Sequence, residues 1–378
     1  MLGRKESAIT NESDLSSGSL IRGNNAIPIP QLSIYKSTFT KIDIASFEIW
    51  YKWGMSHGQL SKGDYISAPL LHEKYFYLQK PLKNNGFISA GVIHEAMWGG
   101  ETKSHGQQPN SISDYFRVIT FQSASKSAIE QEQINALGNH LGIWDIVLSQ
   151  NYNTIQLKVY YQHPFEDRSS MYQHFFDEVK QLKFPSKSFD GLLGIEISND
   201  GHSLISKILY EYLNTMHQSG AQAASDSTYG WDNYYNHYIY QSGWTNHGNV
   251  IGNPLFTLGK NKGHYSDKTY IINNRIHAHH FGLSGKITPS ISYKSLLTYS
   301  KNYGTYFDTD KFKSLNKPYP FEGGLKQLSG LIQLDFNPIW KNLNGQISYA
   351  FDRGDLHLDS DSFLFSISYH FTNLSTSQ

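Results

Sequence analysis

Three stretches of the chain bring together side chains that can do chemistry. In "GVIHEAMWGG" (Gly91–Gly100), His94 stands beside Glu95, and Trp98 follows. A histidine next to a carboxylate suggests acid–base work or a metal site. Neighbours on a strand point to opposite faces, so His94 and Glu95 cannot easily share a ligand, whereas His94 and Trp98 share a face. The other reading of this stretch is a strand end with a tryptophan at a membrane interface. In "RIHAHHFG" (Arg275–Gly282), His277 and His279 share a face, a spacing that can chelate a metal from a strand. No third ligand is identifiable and no HExxH pattern occurs, so the expectation is no metal and no cofactor. Both histidines are then expected to line a polar interior through hydrogen bonds.

The densest cluster is "YGWDNYYNHYIYQSGWTNHGNVIGNPL" (Tyr229–Leu255), where Trp231, Tyr234, Tyr235, His237 and Trp244 alternate with Asp232, Asn233, Asn236 and Asn246. Rings that stack on the CH faces of sugars, beside Asn and Asp that bond hydroxyls, are what carbohydrate binding needs. An aromatic girdle at a bilayer surface has the same composition. The candidate polysaccharide-binding residues are therefore Trp98, Trp231, Asp232, Asn233, Tyr234, Tyr235, His237 and Trp244. No GxSxG elbow, phosphate loop or dinucleotide fingerprint is present, so no catalytic residue is assigned.

The elements that must position these residues read as strands. In "SFLFSISYHF" (Ser362–Phe371), Phe363, Phe365, Ile367, Tyr369 and Phe371 fall on one face and serines dominate the other. The same period of two recurs in "IQLKVYYQ", "ISYKSLLTYS", "QLSGLIQLDF" and "NGQISYAFD". Tight-turn chemistry marks "NNG" (Asn84–Gly86), "YN" (Tyr152, Asn153), "NDG" (Asn199–Gly201), "TPS" (Thr288–Ser290) and "NLNG" (Asn342–Gly345). Between these turns lie long polar segments, roughly 100–134, 163–190, 216–235, 259–272 and 303–324. "MYQHFFDEVKQL" (Met171–Leu182), inside one of them, suits a short amphipathic helix. Short turns at one end and long loops at the other are the pattern of an antiparallel outer-membrane β-barrel. The expected barrel spans 44–371 with about 14 strands, after a periplasmic segment or partial strands over 1–43 and before a polar tail over 372–378. The aromatic row Phe363, Phe365, Ile367, Tyr369 and Phe371 would face lipid, and barrel-insertion machinery would read that strand. A soluble β-sandwich also alternates, but the one-sided loops favour the barrel.

Composition agrees. Lys plus Arg and Asp plus Glu are 32 each, so nothing electrostatic argues for a nucleic-acid partner. Charged residues make up only 17% of the chain while Tyr, Phe and Trp number 26, 21 and 7. That mixture suits two polar environments separated by a thin apolar band. There is no cysteine, hence no disulfide or thiolate site. No apolar run is long enough for a transmembrane helix, and the first twenty residues hold no signal-peptide core.

At these motifs the chain resembles the Wzi capsule-assembly family in its Bacteroidetes form. The matching stretches are "DLSSGSLIRGNNAIPIPQLSI", "LLHEKYFYLQK", "GVIHEAMWGG", "INALGNHLGIWD", "YEYLNTMHQSG", "NYYNHYIYQSGWTNHGNVIGNPL" and "NNRIHAHHFGLSGKI", from about residue 14 to 302. The resemblance implies a Gram-negative outer-membrane barrel of roughly eighteen strands with a periplasmic helical plug. It implies a lectin-like, non-catalytic role in holding capsular polysaccharide at the cell surface, without cofactor. Family members carry a signal peptide and further structure before the point where this chain starts, so four or so strands and the plug are expected to lie outside it. The other reading of the same barrel is a porin-like or sugar-conducting channel, which needs an open, water-filled lumen.

Overall fold

The computed structural model describes residues 2–4, 9–10, 13–44, 47–125, 133, 136–166, 190–199, 203–218, 232–260, 269–340 and 342–369. Fourteen strands form one sheet. They are β1 (Leu2–Arg4), β2 (Pro30–Ile44), β3 (Phe47–Gln59), β4 (Leu70–Pro81), β5 (Phe87–Trp98), β6 (Asn139–Tyr152) and β7 (Ile155–Phe165). The series continues with β8 (Gly191–Asn199), β9 (Lys207–Asn214), β10 (Ile276–Thr288), β11 (Ile291–Asn302), β12 (Leu325–Trp340), β13 (Leu343–Gly354) and β14 (Ser360–Tyr369). Each pairs antiparallel with the next, so the sheet is a simple meander. The total of fourteen agrees with the sequence expectation, but twelve of the strands lie within the expected span, and β1 and β2 extend the sheet to before residue 44. Among the described residues β1 and β14 are its two edges and do not pair with each other. No described helix is long and apolar enough to cross a membrane.

The hairpins fold where the turn residues predict. Leu82 N–H donates to Gly86 O (2.8 Å) across the β4–β5 turn, where Asn84 and Asn85 adopt φ of 54° each. Asn153 at φ 55° closes β6–β7, and 289–290 close β10–β11. The opposite ends of the strands are joined by long excursions, 99–138 and 215–275 above all. The stretch 171–182 lies outside the described residues.

Register lines up one apolar row on the outside of the wall. Ile88, Leu148, Val159, Ile195, Tyr210, Phe281 and Leu297 are successive cross-strand partners. The row continues to Gly330 and Phe351. A Cβ on Gly330 would sit 2.4 Å from the Phe351 ring, so the ring fills the place of the missing side chain. Phe363 (67%), Phe365 (68%), Ile367 (75%) and Tyr369 end this belt in solvent-exposed positions; Phe371 lies outside the described residues. The inner face is polar, and over much of the wall it is buried: Ser56, Glu73, Glu95, Asp145, Gln162, Glu196 and Glu211 all point inward.

Two segments make that burial possible. Residues 13–29 and 232–256 fill the lumen and carry the hydrophobic core with them. Leu15, Leu20, Ile21 and Ile29 pack with Tyr234, Tyr235, Ile239, Tyr240, Trp244, Ile251 and Phe256, against Tyr77, Ile93, Ile143, Tyr160 and Leu209 of the wall. The larger core of this molecule therefore lies inside the sheet's curve, and the belt faces outward.

Candidate functional site: the plugged lumen and the long-loop face

The first plug segment is held by the wall's buried polar groups. Arg22 sits between Glu73 on β4 (2.9 Å) and Glu95 on β5 (2.8 Å), all three nearly solvent-free. Burial disfavours the guanidinium charge, but the two carboxylates outweigh it and hold Arg22 above its ordinary pKa. Glu211 on β9 accepts from Ser16 Oγ (2.6 Å) and from the Ser17 amide (2.7 Å). Gln162 on β7 accepts from Ser19 Oγ (2.9 Å) and the Leu20 amide (3.1 Å). A buried polar group is tolerated only when partnered, and here "DLSSGSLIRG" supplies the partners.

The second plug segment locks onto the first. Tyr235 donates through its hydroxyl to Leu20 O and accepts from the Asn253 amide (3.0 Å), and its ring stacks on Phe256 with centroids 4.1 Å apart. Trp244 Nε1 donates to Ile21 O (3.3 Å). The Tyr234 hydroxyl donates to Asp190 (3.1 Å), which also accepts from the His217 (2.9 Å) and Gln218 amides (2.5 Å). Burial pushes Asp190 up, against the pull of those three donors. At Gly23 a Cβ would lie 2.3 Å from Gly252 O, so the two segments meet backbone to backbone and neither tolerates a side chain there.

The sequence-predicted binding residues thus fall into two groups. Trp98, Tyr234, Tyr235 and Trp244 are buried, with rings enclosed by protein and not open to a sugar face. Trp98 stacks on Tyr115 (5.5 Å between centroids) outside the wall. The other three hold the plug. Asp232, Asn233 and His237 are half-buried. Asn233 Oδ1 accepts from Asn274 Nδ2 (2.6 Å), and His237 Nδ1 accepts from the Ile239 amide (3.2 Å). Burial, with His140 nearby, pushes His237 down to about 3, so its ring is neutral and Nδ1 stays an acceptor. Trp231 lies outside the described residues.

His94 and Glu95 separate as their adjacency on a strand requires. Glu95 meets Arg22 inside, while His94 Nε2 and His140 Nδ1 are 2.8 Å apart outside. The expectation that His277 and His279 line the interior is corrected: the register points them outward. Their Nδ1 atoms lie 3.1 Å and 2.9 Å from the hydroxyls of Tyr212 and Tyr210, in an aromatic row at the belt's loop-side rim. The inward histidine is His280, with Nε2 2.7 Å from Leu15 O. Among the described residues no group of three or more His, Asp or Glu could hold a metal.

Sequence reasoning missed one feature of the long-loop face. A cavity of about 540 Å³ opens in the β11–β12 excursion, lined by Arg275, Tyr303, Lys313, Lys317, Tyr319 and Glu322 among others. The helix α2 (Tyr306–Ser314) forms part of its rim. The Arg275 guanidinium lies 3.7 Å over the Tyr306 ring, which fixes it without neutralising it. The Thr305 amide donates to Tyr319 Oη (2.9 Å), holding that ring in place.

An antiparallel meander with an outward apolar belt, an aromatic rim, one-sided long loops and a filled lumen defines an outer-membrane β-barrel. The chain belongs to the capsule assembly protein Wzi family, whose model matches residues 15–263. A solved structure described as Wzi, an outer membrane protein involved in group 1 capsule assembly in Escherichia coli and a carbohydrate-binding β-barrel, is similar in fold. The TM-score is 0.52 at 14% identity, over 92% of this chain and 62% of that one. The chain therefore spans less than two thirds of that protein's length. No curated protein matches the chain.

Proposed function

We propose that this protein is a non-catalytic outer-membrane barrel that holds capsular polysaccharide at the cell surface through its long-loop face. The observation that carries the reading is the β11–β12 cavity. Its volume of about 540 Å³ suits one or two sugar rings. Tyr303 and Tyr319 offer stacking faces, and three cations stand against the single carboxylate Glu322. In a chain with no net charge, that local excess favours a polysaccharide bearing acid groups. Asp232, Asn233 and His237 would add hydroxyl partners nearer the plug. Lipid and the barrel-insertion machinery are the further partners of such a protein.

Deleting the gene should release capsule into the medium while synthesis continues; polymer that stays cell-bound would sink the reading. Charge reversal at Lys313 and Lys317 in the intact protein should weaken binding of purified polymer without changing the fold. The channel reading needs a wet lumen, whereas residues 13–29 and 232–256 occupy it. Large, steady conductance in planar bilayers would favour the channel instead.

A further inference from the structure

The helix α1 (Ile112–Ile119) belongs to the β5–β6 excursion and lies outside the wall. Ser111 caps it: Asp114 N–H donates to Ser111 Oγ (3.2 Å) and Ser111 N–H to Asp114 Oδ2 (3.0 Å). One face of the helix is seated on the sheet. Tyr115 stacks on Trp98 and meets the rings of His57 and His72 edge-on at 5.0 Å and 5.4 Å. Val118 is fully buried with Ala96, Trp98 and Leu137. Lower down, Lys74 donates to Ile119 O. His72, Lys74 and Phe76 alternate along the outward face of β4, so the helix descends the outer wall to within two residues of the belt. Phe76 itself is 46% exposed and pairs with Trp53 and Val92.

A second stripe of α1, flanking the seated face, is apolar and largely open. Ile112 is 79% exposed and Phe116 62%, with Ile119 half-buried beneath them. The spacing i, i+4, i+7 makes these three one stripe. It runs down the outer wall toward Phe76, its lower end level with Lys74. Large apolar side chains on an exposed helix are expected where a membrane surface takes them up. The apolar belt begins below it at Phe76, and Arg117 on the same helix is turned back to the loop, donating to Ser123 O (3.1 Å).

We propose that α1 is an interfacial helix whose Ile112–Phe116–Ile119 stripe dips into the lipid of the outer leaflet, raising the belt's edge over β4 and β5. The inference rests on the membrane reading of the belt and is independent of the glycan site. It also gives the His57–His72 pair a physical role: with Trp98 it holds Tyr115, and so the helix, at a fixed height on the wall.

The chain has no cysteine, so single spin labels can be placed cleanly. Phe116→Cys and Ile112→Cys would be labelled in the full protein, beside Leu148→Cys as a belt control and Ser104→Cys as an exposed-loop control. Each would be reconstituted into phosphatidylethanolamine–phosphatidylglycerol vesicles and its collisions with oxygen and with a nickel chelate compared. The Phe116 label should favour oxygen several-fold, like Leu148, and Ile112 should lie between the controls. Labels at both positions that match Ser104 would overturn the proposal. So would labels shielded from both reagents, which would mean that protein covers the stripe. A Leu148 label that reads as aqueous would instead overturn the belt reading itself.

Discussion

The inner faces of β4–β9 and of β12–β13 are both polar, yet they satisfy their polar groups in different ways. Around β4–β9 the carboxylates reach into the lumen and are met by the plug: Glu73 and Glu95 by Arg22, Glu211 by Ser16 and Ser17. On β12–β13 the same kind of residue is met by its neighbours in the sheet. Gln346 Nε2 donates to Asp335 Oδ1 (2.8 Å), and Ser329 Oγ to Asp352 Oδ1 (2.5 Å). Beyond them β14 is exposed on both faces. An alternating strand pattern thus specifies which side is polar but not what the polar side touches. That is decided by segments far away in the chain.

The comparison can be broken most sharply at Arg22. Arg22→Met leaves two buried carboxylates without their cation and should cost about 3–5 kcal/mol. Asp335→Asn, which removes a charge answered within the sheet, should cost about 1 kcal/mol. Urea titration of the refolded barrel measures both, and equal midpoints would erase the distinction between the two regions.

The outer face should behave alike in both. Phe365→Arg puts a charge in the belt at a cost of about 2–4 kcal/mol if it lies near the bilayer midplane. Ser366→Arg, one residue on, should change stability by less than about 0.5 kcal/mol. Folding equilibria in bilayers would test the pair, and a reversed order would place lipid on the wrong side of β14.

Inside the plugged half, Gly194 should be less tolerant than its size suggests. Its Cβ would lie 2.1 Å from the Tyr160 ring, and Tyr160 is anchored by its hydroxyl to Glu211. Gly194→Ala should cost about 1–3 kcal/mol, read as a fall in melting temperature; an unchanged temperature would mean that the ring moves freely. The smallest effect is at His237. Its folded-state pKa of about 3 lies below the ordinary 6.5, so the unfolded chain binds the proton first. The stability from its neutral form is complete above pH 6.5 and is lost as pH falls toward 3. His237→Asn should flatten that part of a stability–pH curve, and an identical slope in the variant would assign the loss elsewhere.

The outer half of this structure was legible in the sequence, and the inner half was not. Phe363, Phe365, Ile367 and Tyr369 announce their face by period two, and the Asn-Gly turns announce the hairpins. Burial on the inside depends on partners such as Ser16 and Glu211, separated by 195 positions. Glu95 and Glu211 are answered by Arg22 and Ser16, and the pattern of a lone strand cannot show that such a plug arrives. The Tyr234–Trp244 cluster suited either sugar or a bilayer surface by composition; aromatic rings with Asn and Asp suit a polar-lined core equally well. His277 and His279 were misplaced by a phase of one residue, enough to exchange inside for outside.

The backbone contact at Gly23 and Gly252 bears on how the molecule assembles. Every wall strand finds its partner in the next strand of the chain, so hairpins can form as soon as two strands exist. The plug cannot: Asn253 bonds Gly18 O across 235 positions, and closing so long a span is slow compared with zipping a hairpin. The expected history of the protein is a wall built early around a wet interior, dried later when two distant glycines meet.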